Sequence, residues 1–339
     1  MPNRLTLLLL TALLTHACAT AQLPDHGEPR VSSPLLLEWD LDRPPLDPDL
    51  SEPTSNRIYD LHLSLQDCEG IDLILSTAGN YHMALRDFWF GEYLPDHPEV
   101  RNWYFTTSPP ISPKQVRNGG VSFGNVRLEC MPHLAVGPAG LMEQLREQGS
   151  IEGEPAVLFR NYGNVLLVRR GNPKGIRSIW DLGRDDVVTA TSNPYTEAGS
   201  FGNYAHSIYH IALADSTEAA ATDLYRRVLG DSTQWVVGKR IHHREVPHLI
   251  ATGQADAAPL FYHLARYVTE LFPEHFEIVP LGGTVAQPEP LPGNRVATLY
   301  IARVDTPLTE EQRRHRERLF ALLTGEAFMP YLVKHGLRR

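Results

Sequence analysis

The chain has 339 residues, of which 42% are hydrophobic, 9% aromatic and 21% charged, a composition that excludes a collagen or a disordered tail. The length suits about two domains, each able to bury its own core. With 31 Lys+Arg against 40 Asp+Glu the formal charge is −9, which argues against a nucleic-acid backbone or an anionic bilayer as partner.

Arg4 leads into an apolar run from Leu5 to Leu14, and Ala19-Thr20-Ala21 supplies a small-residue cleavage pattern. Residues 1–21 are therefore predicted to be a secretory signal peptide, with the mature chain starting at Gln22. Cys18 offers the alternative of a lipoprotein, although Thr15-His16-Ala17 ahead of it fits a lipobox poorly. No later stretch is long and apolar enough to span a bilayer. Removing the leader leaves Cys68 and Cys130 in a compartment that permits disulfides. They either pair, closing a loop worth roughly 4 kcal/mol on the chain-entropy account, or remain as two buried thiols. Their spacing makes no metal motif.

Residues 22–57 are rich in proline and acid and lack periodicity, so they read as a linker or an extension draped on the surface. Regular signals begin near Ile58. Strand-type runs at Ile71–Leu75, Trp103–Thr107, Leu134–Val136 and Val187–Ala190 alternate with helical patterns at Tyr81–Tyr93, Ala139–Gln148 and Tyr204–Leu213. Asn164–Arg170 is a further strand, closed by the turn Gly171-Asn172-Pro173. Later strands are predicted around Asp256–Phe261, Phe276–Val279 and Val296–Arg303, and Thr309 opens a helix or helix pair that Gly336 ends. Such alternation implies parallel sheets with helices on both faces.

The stretch from Gly163 to Leu182, with Gly171-Asn172-Pro173-Lys174-Gly175-Ile176 and Trp180-Asp181-Leu182, resembles the crossover segment of type II periplasmic solute-binding proteins of ABC importers, most closely the molybdate/tungstate branch. Ser76-Thr77-Ala78-Gly79-Asn80, Thr191-Ser192-Asn193-Pro194, and Ile241–Pro247 running into Gly253-Gln254-Ala255-Asp256-Ala257 agree with it in order and spacing. The resemblance covers roughly residues 70–338. It implies an α/β, two-lobed periplasmic-binding-protein type II fold, each lobe a mixed, mostly parallel sheet, joined by two crossover strands. The division expected is 58–168 with 262–339 for lobe 1 and 169–261 for lobe 2. The implied function is closure on a small anion, such as molybdate, tungstate or sulfate, by a periplasmic monomer that delivers it to a membrane ABC permease without cofactor or metal. In that topology Cys68 and Cys130 precede parallel neighbouring strands, whose spacing suits a disulfide. Two departures stand out. Pro132-His133 replaces the usual Pro-Asp, and Pro259-Leu260-Phe261-Tyr262-His263 replaces a segment that supplies a ligand tyrosine in molybdate binders. The second motivates the alternative of a larger organic or apolar ligand serving a sensor or a non-ABC transporter.

An oxyanion in such a cleft is held by donors at helix N-termini. Ser76 and Thr77, with the backbone near Asn80 and Tyr81, form the first candidate end; capping the following helix is their alternative task. Thr106, Thr107 and Ser108 end the next strand in the same way, against a plain turn role. Thr191, Ser192 and Asn193 precede Pro194 in lobe 2 and are expected to look across at Ser76. Arg244 is read either as a clamp on the anion or as a partner of a carboxylate between the lobes. Phe261 and Tyr262 are read as an aromatic wall or phenol donor, against hinge packing. His243 and His248 are five residues apart, which disfavours a helical metal pair. Gly199 and Gly202 match no nucleotide loop, and no Gly-x-Ser-x-Gly or His-Glu-x-x-His motif suggests catalysis.

Overall fold

The computed structural model describes residues 22–31, 70–77, 81–106, 121–123, 126–128, 130–238 and 242–339. The signal peptide, residues 32–57 of the extension and Cys68 lie outside the described residues. In chain order the elements are β1 (Arg30–Val31), β2 (Leu73–Ser76), α1 (His82–Phe88) with a π-helical turn Trp89–Tyr93, β3 (Trp103–Thr106), β4 (Val121–Phe123), β5 (Val126–Leu128) and β6 (Leu134–Pro138). They continue with α2 (Ala139–Glu147), β7 (Ile151–Arg160), β8 (Asn164–Arg169), β9 (Thr189–Thr191), α3 (Ala198–Asp215), α4 (Glu218–Leu229) and β10 (Trp235–Val237). The chain ends through α5 (His242–Ala251), β11 (Ala257–Phe261), α6 (Tyr262–Leu271), β12 (Phe276–Val279), β13 (Thr298–Val304), α7 (Glu310–Thr324) and α8 (Met329–Lys334).

The strands build two main sheets, one lobe each: a five-stranded sheet ordered β3-β2-β6-β13-β7 and a six-stranded sheet ordered β1-β10-β9-β11-β8-β12. β2 runs parallel to β3 and β6, whereas β13 is antiparallel to β6 and β7. In the second sheet β1, β10, β9 and β11 are parallel, and β8 is antiparallel to β11 and β12. Successive residues of β8 serve opposite sides of that sheet. Leu166 and Val168 pack with Ile208 and Leu224 of α3 and α4, while Val165 and Leu167 pack with Leu249 and Leu264 of α5 and α6. A strand covered on both faces reads as an unbroken apolar run, which is what Asn164–Arg169 shows.

Two expectations change here. β8 and β12 belong to the six-stranded sheet, so the chain leaves the first sheet between Arg160 and Asn164 and returns between Val279 and Thr298, rather than near 168 and 262. Residues 22–31 are not merely draped: β1 adds a parallel edge strand to β10, and His26 sets its ring edge-on to Phe201 and Trp235, 5.0 and 5.7 Å between centroids. Pro247 lies inside α5, where it removes the bond to the carbonyl four residues back.

Both crossovers are tied by buried amides. Asn161 Oδ1 accepts from the backbone N–H groups of Gly163 and Ala297 at 3.0 and 2.8 Å. Asn294 Oδ1 accepts from Asn164 N at 2.8 Å and its Nδ2 donates to Asn164 O at 2.8 Å. Ser207 Oγ on α3 accepts from Asn164 Nδ2 at 2.7 Å and from Arg295 N at 2.9 Å. The close approach fixes Gly163: it has φ +74°, and a Cβ there would lie 2.8 Å from Asn294 Oδ1.

Candidate functional site

The carboxyl ends of the parallel strands supply the candidate site, as open α/β sheets do. In lobe 1, β2 ends at Ser76, and both Ser76 and Thr77 are fully buried. Tyr81 follows as the N-cap residue of α1 without a side-chain capping bond. Its ring packs on Phe159 at 4.8 Å and stacks on His263 of α6 at 5.3 Å with a 24° interplanar angle. His263 in turn stacks on Phe261 at 5.7 Å and 14°. Met83 of α1 is buried in the cluster that holds Ala190, Val236, Leu260 and Phe261. The start of α1 therefore reaches the strand ends of the second sheet. Asn80, Thr107 and Ser108 lie outside the described residues, as do the side chains of Thr106 and Arg244; the backbones of these last two end β3 and sit in α5.

In lobe 2 the three residues after β9 have different employment. Thr191 Oγ1 accepts from Trp235 Nε1 at 2.8 Å and donates to Ser192 O at 3.0 Å, so this hydroxyl serves the lobe's own packing. Asn193 Oδ1 accepts from Tyr195 N and Thr196 N at 2.9 and 3.3 Å, and its Nδ2 donates to Gly238 O at 3.2 Å. It ties the loop to the end of β10. Ser192 is 1% exposed, and its Oγ has no hydrogen-bond partner among the described residues. A buried hydroxyl in that condition costs free energy unless something else completes it.

The aromatic pair also divides. Phe261 faces Tyr204 at 5.4 Å as well as His263. Tyr262 donates its phenol to Val285 O at 2.8 Å and sets its ring edge-on to Tyr162 at 5.9 Å, so it joins the two crossover segments, the hinge-packing role. Tyr204 is fully buried, and desolvation holds its phenol neutral, its pKa well above the usual tyrosine range. Residue-by-residue reading of the sequence did not single out His263. Its place directly after Phe261-Tyr262 at the end of β11 was the available signal.

A family model described as "Bacterial extracellular solute-binding protein" matches residues 134–338. The chain belongs to this family. Solute-binding proteins of this kind bind and hand on small molecules rather than turn them over, and the two-sheet architecture is the two-lobed form of the family. Among solved structures, PEB3, known from Campylobacter jejuni, matches in its L-phospholactate-bound form with 15% identity, TM-score 0.53, covering 79% of this chain and 100% of that one. The sulfate-binding protein SubI from Mycobacterium tuberculosis H37Rv matches with 16% identity, TM-score 0.50, over 78% and 84% of the two chains. At such identities the likeness is one of fold. No curated protein matches the chain significantly. Among the described residues no helix of this solute-binding protein is long and apolar enough to cross a membrane.

Proposed function

We propose that this solute-binding protein is exported to the periplasm, closes its lobes on a small anion, most economically a tetrahedral oxyanion, and delivers it to an ABC permease. The observation that carries this reading is the placement of buried hydroxyls at the strand ends of both lobes. Ser76 ends β2 and Thr77 follows it, and Ser192, whose Oγ has no hydrogen-bond partner among the described residues, follows β9. Neutral donors suit a dianion that must also be released, and ligand touching both lobes shifts the population toward closure by its differential affinity. Sulfate in SubI and phospholactate in PEB3 are anions held by the same fold. The ring stack of Tyr81, His263 and Phe261 favours a second reading, in which the anionic group belongs to an organic phosphate or carboxylate whose carbon skeleton lies on that wall.

Calorimetric titration with sulfate, molybdate, tungstate and an organic phosphate tests both. Ser192→Ala is expected to weaken the bound anion by about 1–3 kcal/mol while leaving the melting temperature of the ligand-free protein unchanged or raised, because it removes a buried hydroxyl that has no partner among the described residues. Thr191→Val is expected to do the reverse, sparing affinity and lowering stability, because Trp235 Nε1 loses its acceptor. Equal affinities for wild type and Ser192→Ala would remove Ser192 from the site. Stabilisation by apolar compounds alone would reject an anion altogether.

The same reading has Cys68 and Cys130 paired. In support, β2 and β6 are parallel neighbours, and Cys130, buried at 3%, stands shortly before β6. Non-reducing peptide mapping of the secreted chain should recover a single Cys68–Cys130 cross-linked peptide; two separately alkylated thiols would refute the pairing.

A further inference from the structure

α3 carries a pair of histidines that the cleft does not use. His206 and His210 are four residues apart, so the helical turn stacks their side chains on one face. Their ring centroids are 4.0 Å apart with an interplanar angle of 32°, and both residues are half-buried. The second crossover runs against the same stretch of helix. Arg295 N donates to Ser207 Oγ, and a Cβ on Gly293, which has φ +83°, would lie 2.1 Å from the His210 carbonyl oxygen. Burial first, then the charges of His210 and Arg295, push the His206 pKa down to about 4.

We infer that His206 and His210 form a two-imidazole site for a divalent transition ion, taking Cu²⁺ in preference to Ni²⁺ or Zn²⁺. Two histidines at i and i+4 are the chelating spacing that helices offer metals. Among the described residues no group of three or more His, Cys, Asp or Glu forms a metal cluster, so the remaining coordination positions go to water. An open set of two nitrogens suits tetragonal Cu²⁺ better than the closed tetrahedral shell of structural zinc. The Arg295 guanidinium, close enough to depress His206, opposes the incoming cation and sets a ceiling on affinity.

The test uses the secreted chain without an affinity tag. One equivalent of Cu²⁺ should give an electron paramagnetic resonance spectrum with two equatorial nitrogens, and paramagnetic broadening confined to the His206 and His210 ring resonances in the wild-type protein. His206→Asn and His210→Asn should each weaken Cu²⁺ at least tenfold, and Arg295→Gln should bind it several-fold more tightly. Broadening centred on other histidines, or a double His206→Asn/His210→Asn variant that binds Cu²⁺ as the wild type does, would overturn the assignment. The nuclear resonance measurement stands even if a variant fails to fold.

Discussion

Replacing Asn294 by alanine is expected to lower the unfolding free energy by about 3 kcal/mol. The side chain is 9% exposed and completes both the N–H and the C=O of Asn164, each at 2.8 Å, while also accepting from Ser207 Oγ at 3.3 Å. Truncation leaves a buried backbone donor and acceptor without partners, and each such orphan costs about 1–3 kcal/mol. Asn294→Asp is expected to be damaging too, since a carboxylate cannot donate to Asn164 O. Urea unfolding monitored by circular dichroism measures the effect. Because the network joins both crossovers to α3, the variant should also shift ligand affinity through the open–closed equilibrium. A loss below about 0.5 kcal/mol would mean that water completes Asn164 and that the amide network is not what ties the crossovers.

Acid is expected to weaken the fold well before its carboxylates are protonated. His133 is 2% exposed. Burial, with smaller contributions from the charges of Arg316 and His315, pushes its pKa down to about 3. An unfolded histidine binds its proton near pH 6.5, so the stability linked to His133 is complete above that value and is lost as pH falls from 6.5 toward the folded value. Each pH unit in that window is worth about 1.4 kcal/mol, which amounts to about 2.5 kcal/mol by pH 4.5. His315, fully buried and pushed down by the same desolvation, acts in the same direction. Its neighbour Arg316 is held by Glu152 at 2.7 and 3.0 Å, the principal cause of that carboxyl's lowered pKa, and this pair contributes only at lower pH. Unfolding free energies between pH 7.5 and 5 separate the two, because carboxylates are silent there. His133→Gln should flatten the slope; an unchanged slope would assign it elsewhere.

The fold was legible where a local pattern coincides with burial. Ile71–Leu75 and Leu134–Val136 read as strands because they are short apolar runs, and the structure places strands at Leu73–Ser76 and Leu134–Pro138; the strand-end rule pointed to Ser76 and Thr77, and to Thr191, Ser192 and Asn193 as a group. β7 escaped because Gly153 and Pro155 interrupt its sequence. It tolerates them as the outermost strand of its sheet, where a missing N–H breaks no ladder on the open side. β1 escaped because two residues carry no period, and its stability comes from β10, some two hundred positions away. The same distance problem limited the site. Thr191 and Ser192 are chemically alike in sequence, and only Trp235, reaching Thr191 from the neighbouring strand, decides which hydroxyl is already occupied. Tyr262 looked like a ligand phenol until Val285 O, from the returning crossover, claimed it. Fold class follows from local periodicity; the availability of a donor depends on partners that sequence spacing does not reveal.

The chain's two described extremities lie on different sheets. The stretch ending in β1 rides on the six-stranded sheet, while Arg339 is anchored by Leu158 O and Leu323 O beside the five-stranded one. A fluorescent donor attached near residue 25 and an acceptor near residue 334 would therefore ride on opposite halves. Such a doubly labelled chain would convert solute capture into an optical signal, without any probe having to be placed inside the cleft.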